Sequence, residues 1–214
     1  MNLKGYEIMK IDRKPFDNDV IFFKKSNIKF RQGITILVGC NGYGKSTLLK
    51  QVETSLQIDK IPYIKYNNET EGGGNSRSLK GFLGDTDFVI KSILSSEGEN
   101  IILNIENFAC EIGKFIARNP SDKELYVLID ALDSGLSIDK INFLKRELFD
   151  FIVKDCKQRG QNIRFLITAN NYELANGENC FDVHNCKYIK FNNYEEYRNF
   201  ILETSEFVIK RKGE

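Results

Sequence analysis

The sequence predicts an α/β fold with a mainly parallel central sheet. Three apolar runs carry this prediction: residues 34–38, 125–129 and 163–168. Runs without polar alternation are typical of strands that are buried on both faces, as the strands of parallel sheets are. Segments with helical spacing of apolar residues separate the runs, so strands and helices alternate along the chain.

The remaining elements follow from the same patterns, taken in chain order. Short apolar segments before the first buried run predict N-terminal strands at residues 6–11, 20–23 and 28–30. Apolar residues at helical spacing predict four helices: residues 46–56, 104–117, 138–156 and a C-terminal helix containing Tyr197, Phe200, Ile201 and Phe207. A further strand is predicted at residues 63–66, and the glycines of residues 72–76 predict a loop.

Length and composition predict one domain over residues 1–214. It divides into N-terminal strands (1–33), a motif-bearing core (34–175) and a C-terminal strand and helix (176–214). The net charge of +1 gives no support for nucleic-acid binding, and no apolar run is long enough to cross a membrane. The five cysteines lack a regular framework, which favours a reducing, cytoplasmic location.

Cys180, His184 and Cys186 lie close together in the sequence, as zinc ligands often do. Their spacing fits no common zinc site, and a fourth ligand is not evident. We therefore expect no zinc at these residues.

Residues 39–47 read Gly-Cys-Asn-Gly-Tyr-Gly-Lys-Ser-Thr and match the phosphate-loop pattern G-x-x-x-x-G-K-[ST] in full. A predicted strand precedes the loop and a predicted helix follows it, which is the context that the pattern requires. Backbone amides of such a loop surround phosphate oxygens, a lysine reaches the β- and γ-phosphates, and a hydroxyl ligates Mg²⁺. The predicted ligands of a nucleoside triphosphate, with ATP expected, are Asn41, Gly42, Tyr43, Gly44, Lys45, Ser46 and Thr47.

The apolar run 125–129 ends in Asp130, which is the form of a Walker B element. In parallel α/β sheets, ligands bind at the carboxyl ends of the strands. Asp130 is therefore predicted to hold Mg²⁺ together with Ser46.

The ordered set of motifs resembles the ATP-binding-cassette class of ATPases. Residues 39–47 resemble its phosphate loop, and Asp-Ser-Gly-Leu-Ser at 133–137 resembles its D-loop. Ser-Ser-Glu-Gly-Glu at 95–99 resembles its signature motif, with Ser96 and Gly98 in the phosphate-contacting places. The resemblance implies a cassette-type fold and a head-to-tail homodimer, in which the signature of one subunit closes over the ATP and Mg²⁺ held by the other.

The sequence departs from that class at its catalytic positions. The class has a glutamate directly after the Walker B aspartate, but this chain has Ala131, which cannot orient or deprotonate water. Three explanations stay open: an introduced substitution, a naturally slow ATPase, or Asp133 acting instead. The switch-histidine position holds no histidine, so Asn170 is the candidate there, and Asn68 is the candidate for the Q-loop glutamine.

Two further features follow from the resemblance. An aromatic residue is expected to stack on adenine, and Phe16, Phe22 and Phe23 are the candidates. Transporter ATPases carry a sizeable helical lobe between Q-loop and signature, whereas only residues 69–95 lie between them here. This reduced lobe, and the lack of heptad repeats, favour a minimal stand-alone head resembling SMC, RecF and Rad50 proteins or small bacterial and phage ATPases.

The leading hypothesis is an ATP-dependent, dimerising ATPase that serves an unidentified protein partner as a switch or motor. The resemblance suggests DNA maintenance, phage biology or antiphage defence as settings. The alternative is an ATP-binding switch that hardly hydrolyses, with Ala131 as the cause. A transporter subunit and a nucleotide kinase are less favoured, the first by the short lobe and the second by the signature-like and D-loop segments.

Overall fold

In a computed structural model, residues 8–16, 21–71 and 97–212 are described. The central sheet has six strands in the order β4-β5-β6-β3-β7-β8. They are β3 (Gly33–Val38), β4 (Tyr63–Asn67), β5 (Glu124–Asp130), β6 (Asn162–Thr168), β7 (Asn179–Asp182) and β8 (Lys187–Ile189). Every neighbouring pair is parallel except β7 and β8, so the predicted α/β fold with a mainly parallel sheet is confirmed.

Helices cover both faces of the sheet. They are α1 (Lys45–Ile58), α2 (Asn68–Glu71), α3 (Glu97–Arg118), α4 (Ile138–Phe143), α5 (Asp150–Gln158), α6 (Tyr172–Ala175) and α7 (Tyr194–Lys212). A π-helical segment, Leu144–Phe149, joins α4 to α5 within the predicted helix 138–156. None of the helices in the described ranges combines the length and apolar character that crossing a bilayer requires.

Alternate residues of the buried strands pack into two cores, as the two-sided apolar runs predict. Ile34, Ile36 and Val38 of β3 face one core, which α3, α4 and α5 cover. Leu37 faces the other core, which is covered by α1 and the N-terminal segment. The C-terminal helix α7 contributes Tyr197 to the first core and Val208 to the second.

The N-terminal strands are shorter than the sequence predicts. Within residues 8–16 and 21–32, the described part of this region, the strands are β1 (Met9–Lys10) and β2 (Asn27–Ile28), which pair in a separate antiparallel ribbon. The strand predicted at 20–23 is wrong for its described residues, 21–23, which form no strand. Phe22 and Phe23 are nevertheless buried, and the N–H groups of both donate to the carbonyl of Arg13. Their apolar character reflects burial in the core and not pairing in a sheet.

The sheet order determines which residues meet at its carboxyl edge. Strand β6 lies between β3 and β5, so Thr168 at its end stands between the loop after Val38 and Asp130. Asn67, the last residue of β4, pairs in register with Asp130. Strand order therefore brings segments that are far apart in sequence to one site.

Candidate functional site

The loop between β3 and α1 has a backbone that only glycine accommodates easily. Gly39, Gly42 and Gly44 have φ angles of 143°, 78° and 106°. A β-carbon on Gly39 would collide with the ring of Tyr43, and one on Gly44 would collide with Phe22. The glycines therefore permit both the left-handed turns and the close approach of the aromatic rings.

Lys45 begins α1, and its side chain folds back over the loop. Its Nζ donates hydrogen bonds of 2.6 Å to Gly39 O and 3.0 Å to Cys40 O. Burial lowers the pKa of Lys45, an effect that the negative potential of Cys40, Asp133 and Asp130 opposes. The ammonium is thus held inside the loop, where it is available to an anion that enters the loop.

Asp130 is the meeting point of three elements. Ser46 Oγ of α1 donates to Asp130 Oδ1 over 3.0 Å, and Thr168 Oγ1 of β6 donates to the same oxygen over 2.6 Å. Thr168 Oγ1 in turn accepts a 2.7 Å hydrogen bond from the amide of Ala131. The structure thus brings the two predicted Mg²⁺ ligands, Ser46 and Asp130, into contact and adds Thr168 to them. Their binding of Mg²⁺ stays a prediction.

A cavity of about 420 Å³ opens over the loop. Six of the seven predicted loop residues line it: Asn41, Gly42, Gly44, Lys45, Ser46 and Thr47. Asp130, Ala131, Thr168 and Asn170 form a polar part of its wall. Phe16, Phe22 and Arg211 form an aromatic and cationic part. The cavity wall therefore combines carboxylate and hydroxyl oxygens, an ammonium, a guanidinium and aromatic side chains.

Tyr43 is the predicted loop residue whose side chain is directed elsewhere. Its ring is buried between Phe200 and Phe207 of α7, and its hydroxyl donates to Asp182 Oδ1 over 3.1 Å. Burial and the Asp182 carboxylate raise the pKa of Tyr43, so the phenol stays neutral. The side chain anchors the loop to α7, and Tyr43 has only its backbone to offer a ligand.

Asp133 and Asn170 are predicted catalytic candidates. The side chain of Asp133 is hydrogen-bonded to the backbone of Asn170. Asp133 Oδ2 accepts hydrogen bonds from the amides of Asn170, at 2.7 Å, and of Asn171. Asn170 O accepts a 2.9 Å hydrogen bond from the hydroxyl of Tyr197. Asn170 is exposed and lines the cavity, whereas Asp133 is engaged in holding the loop after β6. Sequence order alone gave no sign of this bond between the two turns.

Asn68 lies beside the site but is not part of the cavity wall described above. The side chain is buried, and its Nδ2 donates to Ser134 O over 2.7 Å and to Leu132 O over 3.3 Å. Its Oδ1 accepts from the hydroxyl of Tyr66. In this conformation Asn68 ties the end of β4 to the turn after Asp130. The neighbouring Asn67 lines an adjoining cavity together with Ser46 and Asp130.

The signature-like segment is only partly described. Ser96 lies outside the described residues, as does most of the interval 69–95 that predicted a reduced lobe. Gly98 is the second residue of α3, so the motif does fall at the start of a helix. The roles of Ser96 and Gly98 stay predictions.

The aromatic candidates differ in position. Phe16 and Phe22 line the cavity, whereas Phe23 is fully buried in the core. Arg211 is a site residue that the sequence did not suggest. Its guanidinium carbon lies 4.0 Å from the ring centroid of Phe22, and its Nη2 donates to Gly42 O over 2.9 Å. Burial lowers the pKa of Arg211 without removing its charge.

Cys180, His184 and Cys186 have separate hydrogen-bond partners. Cys180 Sγ donates to Ala175 O, and burial raises the pKa of this thiol to about 12. Cys186 Sγ donates to the carbonyl of Val183, and His184 Nδ1 lies 2.6 Å from Phe22 O. Cys180 packs in the first core and Cys186 in the second, so closeness in sequence does not bring these two thiols together.

Comparisons with known proteins add little to this geometry. No family model matches the chain, and no curated protein matches it. Among solved structures, the chain is similar to Cdc6p from Pyrobaculum aerophilum, with 13% sequence identity and a TM-score of 0.33. The match covers 67% of this chain and 34% of that one, so the chain spans about a third of its length.

The fold and the loop together define the class of architecture. A buried parallel strand, a glycine loop with an inward lysine, and a helix that starts at that lysine make a phosphate-loop unit. It lies at the carboxyl edge of a parallel α/β sheet, beside an aspartate that ends another strand. The chain therefore has a P-loop α/β fold.

Proposed function

We propose that this chain binds ATP with Mg²⁺ and is a slow, dimerising P-loop ATPase that acts as a switch for a protein partner. The observation that carries the proposal is the convergence of Lys45, Ser46 and Asp130 on one cavity. An ammonium in a glycine-rich turn that leads into a helix N-terminus suits the phosphates. The aromatic part of the wall suits a nucleobase.

The residues present fit a magnesium ion. Mg²⁺ prefers oxygen ligands and is commonly held by a P-loop hydroxyl and a Walker B carboxylate. Ser46 Oγ and Asp130 Oδ1 lie 3.0 Å apart and would hold the ion directly or through water. When bound, the ion neutralises charge on the phosphates, while Thr168 keeps the carboxylate in place.

We expect slow hydrolysis because of the residues that line the cavity. Among the lining residues that the structure describes, Asp130 is the only carboxylate, and its Oδ1 is engaged by Ser46 and Thr168. Ala131 occupies the position that follows it, with a left-handed φ of 53°. Without a free base, water attack on the γ-phosphate is unassisted. The second candidate function, an ATP-binding switch with almost no turnover, is favoured by the same observation.

The homodimer is part of the proposal through the signature-like residues. A serine hydroxyl, a glycine amide and a helix N-terminus suit the γ-phosphate of a nucleotide that is held by a second subunit. Gly98 lies in the first turn of α3, which starts at Glu97, and Ser96 comes just before Glu97 in the sequence. Ser96→Arg should leave ATP binding to the monomer intact and prevent dimers from forming.

Phosphate release and sizing test this function together. Steady-state release should be slow, and sizing with ATP and Mg²⁺ should give a dimer that Ser96→Arg does not form. Release near background with tight ATP binding would favour the switch. Dimers of Ser96→Arg, or dimers that form without nucleotide, would contradict the signature assignment. Capture of partners with ATP-loaded protein would then identify the process that the protein serves.

A further inference from the structure

Arg211 lies near the C-terminal end of α7, yet its side chain contacts the phosphate loop between β3 and α1. It is the last but one residue of α7 and lies 169 positions beyond Gly42, to whose carbonyl its Nη2 donates. Three more contacts join α7 to the loop. Thr204 Oγ1 accepts from the amide of Cys40 over 3.0 Å, Val208 lies against Gly42, and the ring of Tyr43 packs on Phe207. The end of α7 is therefore fixed beside the phosphate loop.

The guanidinium covers a ring that would otherwise be the stacking surface. Arg211 lies over the face of Phe22 at 4.0 Å. Phe16 and Phe23 pack against Phe22 at large interplanar angles, each with ring centroids 5.1 Å away. Phe22 is 6% exposed, so little of its ring is open to a ligand. Arg211 and the half-exposed Phe16 both line the cavity, and Arg211 is the one of the two whose guanidinium lies on the face of Phe22.

A guanidinium plane backed by an aromatic ring is a suitable base-stacking surface. Arginine stacks on aromatic faces and also receives unstacked nucleobases on its plane. Its Nη1 is buried and has no hydrogen-bond partner within the described part of the chain. The phosphates have Lys45 and the loop amides, and the metal has Ser46 and Asp130. The remaining part of the cavity wall, around Phe22, is therefore available to the base.

We propose that Arg211 is the nucleobase-stacking residue of this site, with Phe22 as its support. The inference rests on the proposed ATP binding and adds a specific residue to it. It makes α7 a part of the nucleotide site, so that occupancy of the cavity by a nucleoside and the position of the C-terminal helix depend on each other.

The experiment compares ATP with inorganic tripolyphosphate, which has the phosphates but no base. Affinities are measured by titration calorimetry for the unchanged protein, Arg211→Met and Arg211→Lys. Arg211→Lys keeps the charge and a donor for Gly42 O but lacks the plane. Both variants should bind ATP about tenfold more weakly and tripolyphosphate unchanged. Lys210→Met, at an exposed neighbouring position of α7, is the matched control and should alter neither affinity.

The other possible results would contradict either the inference or the proposed function. An equal loss of ATP and tripolyphosphate in Arg211→Met would place the arginine on the phosphates and overturn the inference. Unchanged ATP affinity in both variants, or a loss in Arg211→Met that Arg211→Lys fully restores, would overturn it too. If Arg211→Met does not fold, Arg211→Lys alone decides between these outcomes. Failure of the unchanged protein to bind ATP would instead contradict the proposed function.

Discussion

Thr168 connects the aspartate of the site to the backbone that follows it. Its hydroxyl donates to Asp130 Oδ1 over 2.6 Å and accepts from the amide of Ala131 over 2.7 Å. The side chain is 3% exposed, so neither bond is open to exchange with bulk water. Thr168 therefore fixes the orientation of the carboxylate that we expect to face Mg²⁺.

Thr168→Val should weaken the binding of Mg²⁺ at the site. The valine keeps the shape of the side chain but removes the donor to Asp130, and loss of such outer-shell partners commonly weakens metal binding by about 10- to 100-fold. The measurement is the Mg²⁺ concentration that gives half-maximal ATP binding. Thr168→Ser retains the hydroxyl and is the control. A Thr168→Val variant with the unchanged Mg²⁺ requirement would mean that Asp130 needs no positioning.

Ala131→Glu should increase ATP turnover. A glutamate directly after Asp130 would place a base at the cavity wall, and general-base catalysis contributes about 10²- to 10⁴-fold. The alanine already has a left-handed φ of 53°, so the longer side chain adds little backbone strain. Ala131→Gln has the same length without the base and should stay slow. Equal rates for the two variants would show that a missing base is not what limits turnover.

Substitutions of Asp133 distinguish a structural role of its carboxylate from a catalytic one. Because Oδ2 accepts from two backbone amides, Asp133→Ala should lower the free energy of unfolding by about 2 kcal/mol. Asp133→Asn retains a carbonyl acceptor and should be closer to the unchanged protein in stability. Thermal melting and phosphate release are compared for both variants. Loss of turnover in a stably folded Asp133→Asn variant would instead identify Asp133 as the base.

Nucleotide binding should be coupled to proton uptake in the pH range between the pKa of Lys45 in the free protein and its pKa in the complex. Burial lowers the pKa of Lys45 in the free protein, and phosphate beside the ammonium raises it again. ATP affinity should therefore fall as the pH rises from the lowered pKa of the free protein toward the higher pKa of the complex. Calorimetry in buffers of different ionisation enthalpy measures the uptake. Lys45→Arg, which stays charged, should abolish it; uptake that persists would belong to another group.

Local patterns were sufficient for the parts of the fold that are continuous in sequence. The glycine loop with Lys45, and the apolar strand that ends in Asp130, each carry their own pattern within ten residues. The short N-terminal pairing and the π-helical segment carry no such pattern. Burial of Phe22 without a partner strand shows why apolar runs alone overestimate strands.

The parts of the site that the sequence did not predict depend on contacts between distant segments. Thr168 lies next to Asp130 because β6 is inserted between β3 and β5, and strand order is not encoded in any one segment. Arg211 reaches Gly42 because α7 returns over the edge of the sheet. The sequence predicts Asn68 as the Q-loop residue from its position in the chain, and it gives no sign that the side chain donates to the turn after Asp130.

The most direct test of the account is titration calorimetry of Mg²⁺ and ATP with the unchanged protein and Lys45→Ala. We expect one nucleotide per chain for the unchanged protein. Lys45→Ala loses the ammonium held by Gly39 O and Cys40 O and should show no measurable binding. Lys50→Ala, at an exposed position of α1, is the matched control and should bind as the unchanged protein does. Undiminished binding by a folded Lys45→Ala variant would contradict the assignment of the phosphate loop.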